Sequence, residues 1–260
     1  MARTPADDTH PVRPGCEAWS SPGGGPHGAL VLHGFTGSPV SMRPVGEALA
    51  AAGLAVELPR LPGHGTDVAD LIPTTFDDWL AEAERALGAL RARVPDGRIV
   101  VVGLSMGGAL TVALAERHDD LAGIVAINTP VSISDEMRGL VQQLLDGGME
   151  VMDSIGNDIA APGVDEGSYD QTPLRPLLSL IEAGDELRAR LGDVRCPVLV
   201  ITSRQDHVVP PTDSDVLAES VGGPVERVWL ERSYHVATLD FDAELVCQAT
   251  VDFAARVTTA

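Results

Sequence analysis

The chain contains no lysine: all 18 of its basic residues are arginine. That absence removes Schiff-base chemistry, a pyridoxal-phosphate anchor and the lysine of a phosphate-binding loop. Cations are also outnumbered by 38 acidic residues, for a formal net charge of −20. A surface this acidic repels polyanions, because nucleic-acid affinity rests on Lys and Arg neutralising phosphates. It equally disfavours standing attachment to anionic lipid. The expected partner is therefore a small neutral molecule, with no nucleic acid and no stable membrane anchor. Cysteine is sparse: Cys16, Cys196 and Cys247 include no close pair and no CxxC spacing, so free thiols in a reducing compartment are expected. There is no HExxH zinc motif. The longest nearly apolar run, about Ala48 to Val56, is far short of the ~20 residues a membrane span requires. Proline and acidic residues stand near the start, where a signal peptide would be apolar. A cytoplasmic protein is expected.

What is present is an ordinary globular composition, 44% hydrophobic over 260 residues, near the upper limit for one core. Residues 1–28, with five prolines and the triplet Gly23–Gly25, predict a loose arm holding one short edge strand around Glu17–Ser20. Apolar runs then predict strands at Ala29–His33, Leu54–Leu58, Ile99–Leu104, Gly123–Ile127, Val198–Thr202 and Val225–Leu230. Helical stretches follow at Met42–Ala52, Phe76–Val94, Gly107–Arg117, Asp213–Val221 and Ala243–Arg256. Strands that are apolar throughout, rather than alternating, are covered on both faces. The pattern predicts an α/β fold with a doubly wound, mostly parallel sheet, whose ligands gather at the carboxyl ends of the strands. Between Ile127 and Val198 the rhythm breaks for about seventy residues, too long for a structureless loop. Helices at Ser134–Leu145 and Leu174–Leu191 flank a turn-rich centre there. The expected organisation is a core of residues 29–130 and 192–260 with a cap inserted at 131–191.

Gly103-Leu104-Ser105-Met106-Gly107 fits G-x-S-x-G between an apolar strand and a helical pattern, the context a nucleophile elbow requires. A serine on so sharp a turn projects its Oγ above the sheet, and the helix behind it offers free N–H groups to a developing anion. Such a serine needs a base oriented by a carboxylate, in the chain order Ser, acid, His. Only His207 and His235 fall late enough without a competing role. His235 leaves the last predicted strand, and Asp206 follows the strand before it, so these two complete the expected triad. Asp213 and Asp215 rival Asp206, but they fall where a helix begins and suit capping. His33-Gly34-Phe35-Thr36-Gly37 follows the first long strand. The amides of Phe35 and Met106 are the expected oxyanion donors, with His33 bracing its loop. The turn Arg60–Gly65 is expected to be structural.

Together, His33–Gly37, Gly103–Gly107, Asp206 and Ser233–Asp240 resemble the α/β-hydrolase superfamily, and within it the bacterial monoacylglycerol lipases and their carboxylesterase relatives. The cap segment Asp153–Asp158 and the string SYHVATLD narrow the likeness. The resemblance implies a cap over an acyl channel, with Ile155 at its mouth and Glu166 bonding the glycerol hydroxyls. Asp165 is a rival for the latter part, and both acids have an alternative role as solvated cap charges. Ester hydrolysis through an acyl-enzyme is the expected function, with no metal or organic cofactor, and monoacylglycerol as the expected substrate. A carboxylesterase or thioesterase acting on short non-glycerol esters is the alternative, and a non-catalytic binding module on the same fold is a second. Leu140, Leu144, Leu145, Met149, Val151 and Met152 are candidates for an apolar lid, or for packing the cap on the sheet.

Overall fold

A computed structural model describes residues 8–131, 134–154 and 156–259. The chain opens with β1 (Trp19–Ser21), β2 (Gly28–Leu32), α1 (Arg43–Ala51) and β3 (Ala55–Leu58). Then come α2 (Val68–Leu71), α3 (Phe76–Arg93), β4 (Ile99–Leu104), α4 (Met106–Ala115) and β5 (Gly123–Ile127). Between β5 and the next sheet strand lie α5 (Asp135–Asp146), β6 (Val151–Asp153), β7 (Gln171–Pro173) and α6 (Leu174–Arg190). The chain closes with β8 (Val198–Ser203), α7 (Thr212–Ser220), β9 (Val225–Leu230) and α8 (Ala243–Thr259).

Seven strands form the main sheet in the order β1-β3-β2-β4-β5-β8-β9. All neighbours are parallel except the edge strand β1, which runs antiparallel to β3 with Trp19 opposite Leu58. The reason lies in β4, whose side chains alternate between two cores. Ile99 and Val101 pack with Trp79, Leu87 and Leu110 on one face. Val100, Val102 and Leu104 pack with Leu49, Val246 and Phe253 on the other. A strand buried on both faces has no polar side to alternate with, so it reads as a continuous apolar run. Every residue of α4 is buried as well.

The segment from α5 to α6 has only a small cluster of its own. Val141, Leu174 and Ile181 form a small cluster with Leu144, Leu145 and Met152 packed against it. Three of the candidate lid residues thus pack between α5 and α6, while Leu140 and Met149 are 45% and 44% exposed. The two short strands β6 and β7 pair antiparallel, Val151 opposite Pro173. Three-residue strands are too short to carry a readable alternation in the sequence.

The arm expected to be loose is tied down from Asp8 onward. Asp70 accepts from the amides of Thr9 and His10 and from the Thr9 hydroxyl. Asp8 pairs with Arg60 and accepts from Gly63 N. Arg13 bonds Gly65 O and Gly167 O, at 2.8 and 2.6 Å. Proline and glycine exclude a helix here, but side-chain anchors order the segment without one.

Candidate active site

Ser105 follows β4 directly and precedes α4, at φ 56° and ψ −121°. Few L-residues tolerate that backbone, and it persists only where the surroundings enforce it. Close packing enforces it here. A Cβ on Gly103 would sit 2.1 Å from Gly107 O, and one on Gly107 would sit 2.2 Å from Leu32 O. The glycines of the motif therefore let α4 press onto β2 and β4, and the serine takes up the sharp turn. Ser105 N donates to Ile127 O at 2.9 Å, which ties the bend to the neighbouring strand.

His235 and Asp206 meet as expected. The imidazole Nδ1 donates to Asp206 Oδ2 at 2.8 Å, and both side chains are nearly inaccessible, at 10% and 1%. The other oxygen of Asp206 accepts from Val208 N and Val209 N, each at 2.8 Å. Two backbone donors and one ring donor thus hold the Asp206 carboxylate in place. The rival acids lie elsewhere: Asp213 accepts from Val131 N and Asp215 pairs with Arg227. His207 donates to Asp158.

The base and the bend are fixed by adjacent residues. Ile127 holds Ser105, and Asn128 Nδ2 donates to His235 O at 2.7 Å. Asn128 also exchanges hydrogen bonds with Ser203, whose hydroxyl donates to Tyr234 O. Among the described residues Ser105 Oγ makes no hydrogen bond. In sites of this kind the nucleophile–base contact commonly tightens on substrate binding.

The amides of Phe35 and Met106 have no acceptor among the described residues. Gly34 lies against the bend, its position for a Cβ only 3.5 Å from Ser105 Cβ. The Phe35 ring rests on Trp79 and His64, with centroids 5.5 and 6.2 Å away. His33 is fully buried; its Nδ1 donates to Gly34 O and its Nε2 accepts from Leu61 N. Burial lowers its pKa to about 4, so it stays neutral and acts as a brace. His64 is likewise buried and held neutral.

Glu166 reaches this same corner. Its Oε2 lies 3.2 Å from where a Gly37 Cβ would stand. Burial pushes its carboxyl up to about 7; the His235 ring works against this and Asp165 adds to it. Asp165 instead accepts from Gly167 N and is exposed. Asn157 braces the Glu166 loop from both sides, accepting from Glu166 N and donating to Val164 O. Ile155 lies outside the described residues.

Asn128 and Asp242 have no role in the sequence reading, and Asp158 and Asp240 enter it only as the last residues of the strings Asp153–Asp158 and Ser233–Asp240. Asn128 did carry a usable signal, being one of only two asparagines and standing directly after an apolar strand. No group of three or more metal-ligating side chains occurs among the described residues. No helix among them is long and apolar enough to cross a membrane.

The chain is similar to several known proteins. The chain is 44% identical over 253 residues to a "Thermostable monoacylglycerol lipase" of Bacillus sp. (strain H-257), covering 96% of this chain and 98% of that one. It is 26% identical to a "Carboxylesterase" of Bacillus subtilis (strain 168), covering 88% and 93%. A solved structure from work on LipS and LipT, two metagenome-derived lipolytic enzymes, superposes with TM-score 0.89 at 41% identity, covering 95% and 100%. The monoacylglycerol lipase of Paleococcus ferrophilus shares the fold, with TM-score 0.74 at 19% identity over 93% and 99% of the two chains. The family described as "Serine aminopeptidase, S33" matches residues 26–242. With the α/β-hydrolase sheet and the strained serine already in view, the chain belongs to this family of serine hydrolases.

Proposed function

We propose that the protein hydrolyses carboxylic esters through an acyl-enzyme, with monoacylglycerols as its substrates. The observation that carries the reading is the 2.8 Å bond from His235 to Asp206, with His235 O tied to Asn128 and the strained Ser105 tied to Ile127, the neighbour of Asn128. Ser105 Oγ attacks the ester carbonyl while His235 Nε2 takes its proton. Asp206 holds the imidazole with Nδ1 protonated and stabilises the imidazolium. The free amides of Phe35 and Met106 receive the oxyanion. They are fixed before charge develops, which is why one such donor is worth ~2.7–4 kcal/mol of barrier. His235 then protonates the departing alcohol, and a water activated by the same ring releases the fatty acid.

Glu166 supplies the glycerol recognition. A carboxyl near half-protonation at neutral pH can both accept from and donate to vicinal hydroxyls. Segment 131–191 serves as the cap. The substrate is neutral, in keeping with the net charge of −20, and the enzyme works in the cytoplasm. The 26% identity to a carboxylesterase favours one alternative, short non-glycerol esters.

Two measurements test this. A fluorophosphonate should modify Ser105, located by peptide mass. Hydrolysis of monolauroylglycerol should exceed that of diacylglycerol and of short p-nitrophenyl esters. A marked preference for the short aryl esters would remove the lipase assignment, and labelling elsewhere would remove the nucleophile.

A further inference from the structure

The loop that carries His235 leaves β9, the outermost strand of the sheet. It therefore has strand support on one side only, and side chains must fix its main chain. They do so almost residue by residue. Asp242 accepts from Arg232 N and Ser233 N, and Asp240 from Tyr234 N. Ser203 holds Tyr234 O and Asn128 holds His235 O. The remaining main-chain donors, His235 N and Val236 N, go to a single residue. Asp158 Oδ2 accepts from His235 N at 3.0 Å, and the Asp158 carbonyl accepts from Val236 N at 3.1 Å.

Asp158 differs from the other anchors in two ways. It alone among them belongs to the inserted segment. It also reaches the second triad loop, accepting from His207 N at 3.3 Å and from His207 Nδ1 at 2.8 Å. His207 is the immediate neighbour of Asp206. One carboxylate, only 10% exposed, thus holds the backbone of the base and of the residue beside its acid partner. Asp240 fastens the insert next door, accepting from Ala160 N and Ala161 N. The docking of this strip therefore does not depend on Asp158 alone, and Asp158 is free to serve a different end.

We propose that Asp158 is a positioning residue for the reaction: it sets the spacing and orientation of the His235–Asp206 pair, so that proton transfer from Ser105 depends on the inserted segment being seated. The proposal rests on the assignment of Ser105, His235 and Asp206 above. Its logic is geometric. The imidazole swings about the His235 main chain, and freeing that amide lets the ring move. A displacement of ~1 Å in a catalytic group costs on the order of 10²-fold in rate. A carboxylate is required because three donors converge on its two oxygens. Asparagine offers one acceptor oxygen and turns an NH₂ group toward the other donors.

The test uses the full chain with Asp158→Asn and Asp158→Ala, assayed on p-nitrophenyl butyrate. The alanine variant should lose about 10–100-fold in kcat, with KM changed by less than about threefold. The asparagine variant should fall between it and the unaltered protein. Fluorophosphonate labelling of Ser105 should slow by the same factor as kcat, because labelling needs the same base. In an Asp206→Ala background, adding Asp158→Ala should cost less than about threefold, since the ring is already misplaced. If the alanine variant does not fold, the near-isosteric asparagine variant carries the same comparison. Variants that fold and keep kcat and labelling within about twofold overturn the proposal. So does a change confined to KM or to thermal stability, which would make Asp158 a fastening for the insert and nothing more. Failure of the unaltered protein to label at Ser105 would instead defeat the triad assignment on which the proposal stands.

Discussion

Ser105→Gly is expected to give a more stable protein than Ser105→Ala, although both are inactive. The serine sits at φ 56° and ψ −121°, a backbone region that costs an L-residue ~1–3 kcal/mol. Alanine keeps the Cβ and keeps the strain, whereas glycine releases it. Two terms oppose the gain. Glycine adds ~0.4–1 kcal/mol of backbone entropy to the unfolded chain. The lost methyl is half-buried, so it contributes less than the ~0.8 kcal/mol of a fully buried carbon. Mid-range values leave glycine ahead by about 1 kcal/mol. For a chain of this size that corresponds to a Tm difference of about 2–4 °C. Urea titration and calorimetry of the two variants, which share the loss of Oγ, isolate the backbone contribution. Esterase activity in both should fall by ~10⁴-fold or more. An alanine variant as stable as the glycine one would refute the claim that packing stores strain at the bend.

Three further outcomes follow from the same geometry. Gly108→Ala would place a Cβ 1.9 Å from Thr129 Oγ1 and 2.9 Å from Thr129 Cβ. It should cost ~1–3 kcal/mol of stability, and combination with Thr129→Ala should recover most of that loss in urea midpoint. Glu166, raised from 4.5 to about 7 by burial, binds more protons in the native than in the unfolded chain between those values. Its contribution to stability is therefore lost as pH rises from about 4.5 through 7. Glu166→Gln should lack that decline, so the stability difference between the two proteins should open across this window; a constant difference would count against the raised value. Trp79→Phe removes the indole donor to Pro62 O and Thr74 Oγ1. It should cost ~1–3 kcal/mol and lower kcat by loosening the ring beneath Phe35, both measurable in one preparation.

The sequence by itself determined the alternation of strands and helices, because burial on both faces writes apolar runs such as Ile99–Leu104 directly into the chain. It also determined the bend at Ser105, since Gly103 and Gly107 stand where any Cβ would meet backbone. The pairing of Asp206 with His235 followed from chain order and from the loops they occupy. Other features depended on contacts remote in sequence. That His207 is held by Asp158, 49 residues away, was one of them. Glu166 and Asp165 are adjacent acids, and the tertiary structure half-buries one against Gly37 while leaving the other exposed. Asp8 and Asp70 order an arm whose prolines suggested none. The division has a physical reason. Apolar periodicity and glycine geometry act over a few residues and are visible locally, whereas a carboxylate gives no sign of its partner until the fold brings a donor to it.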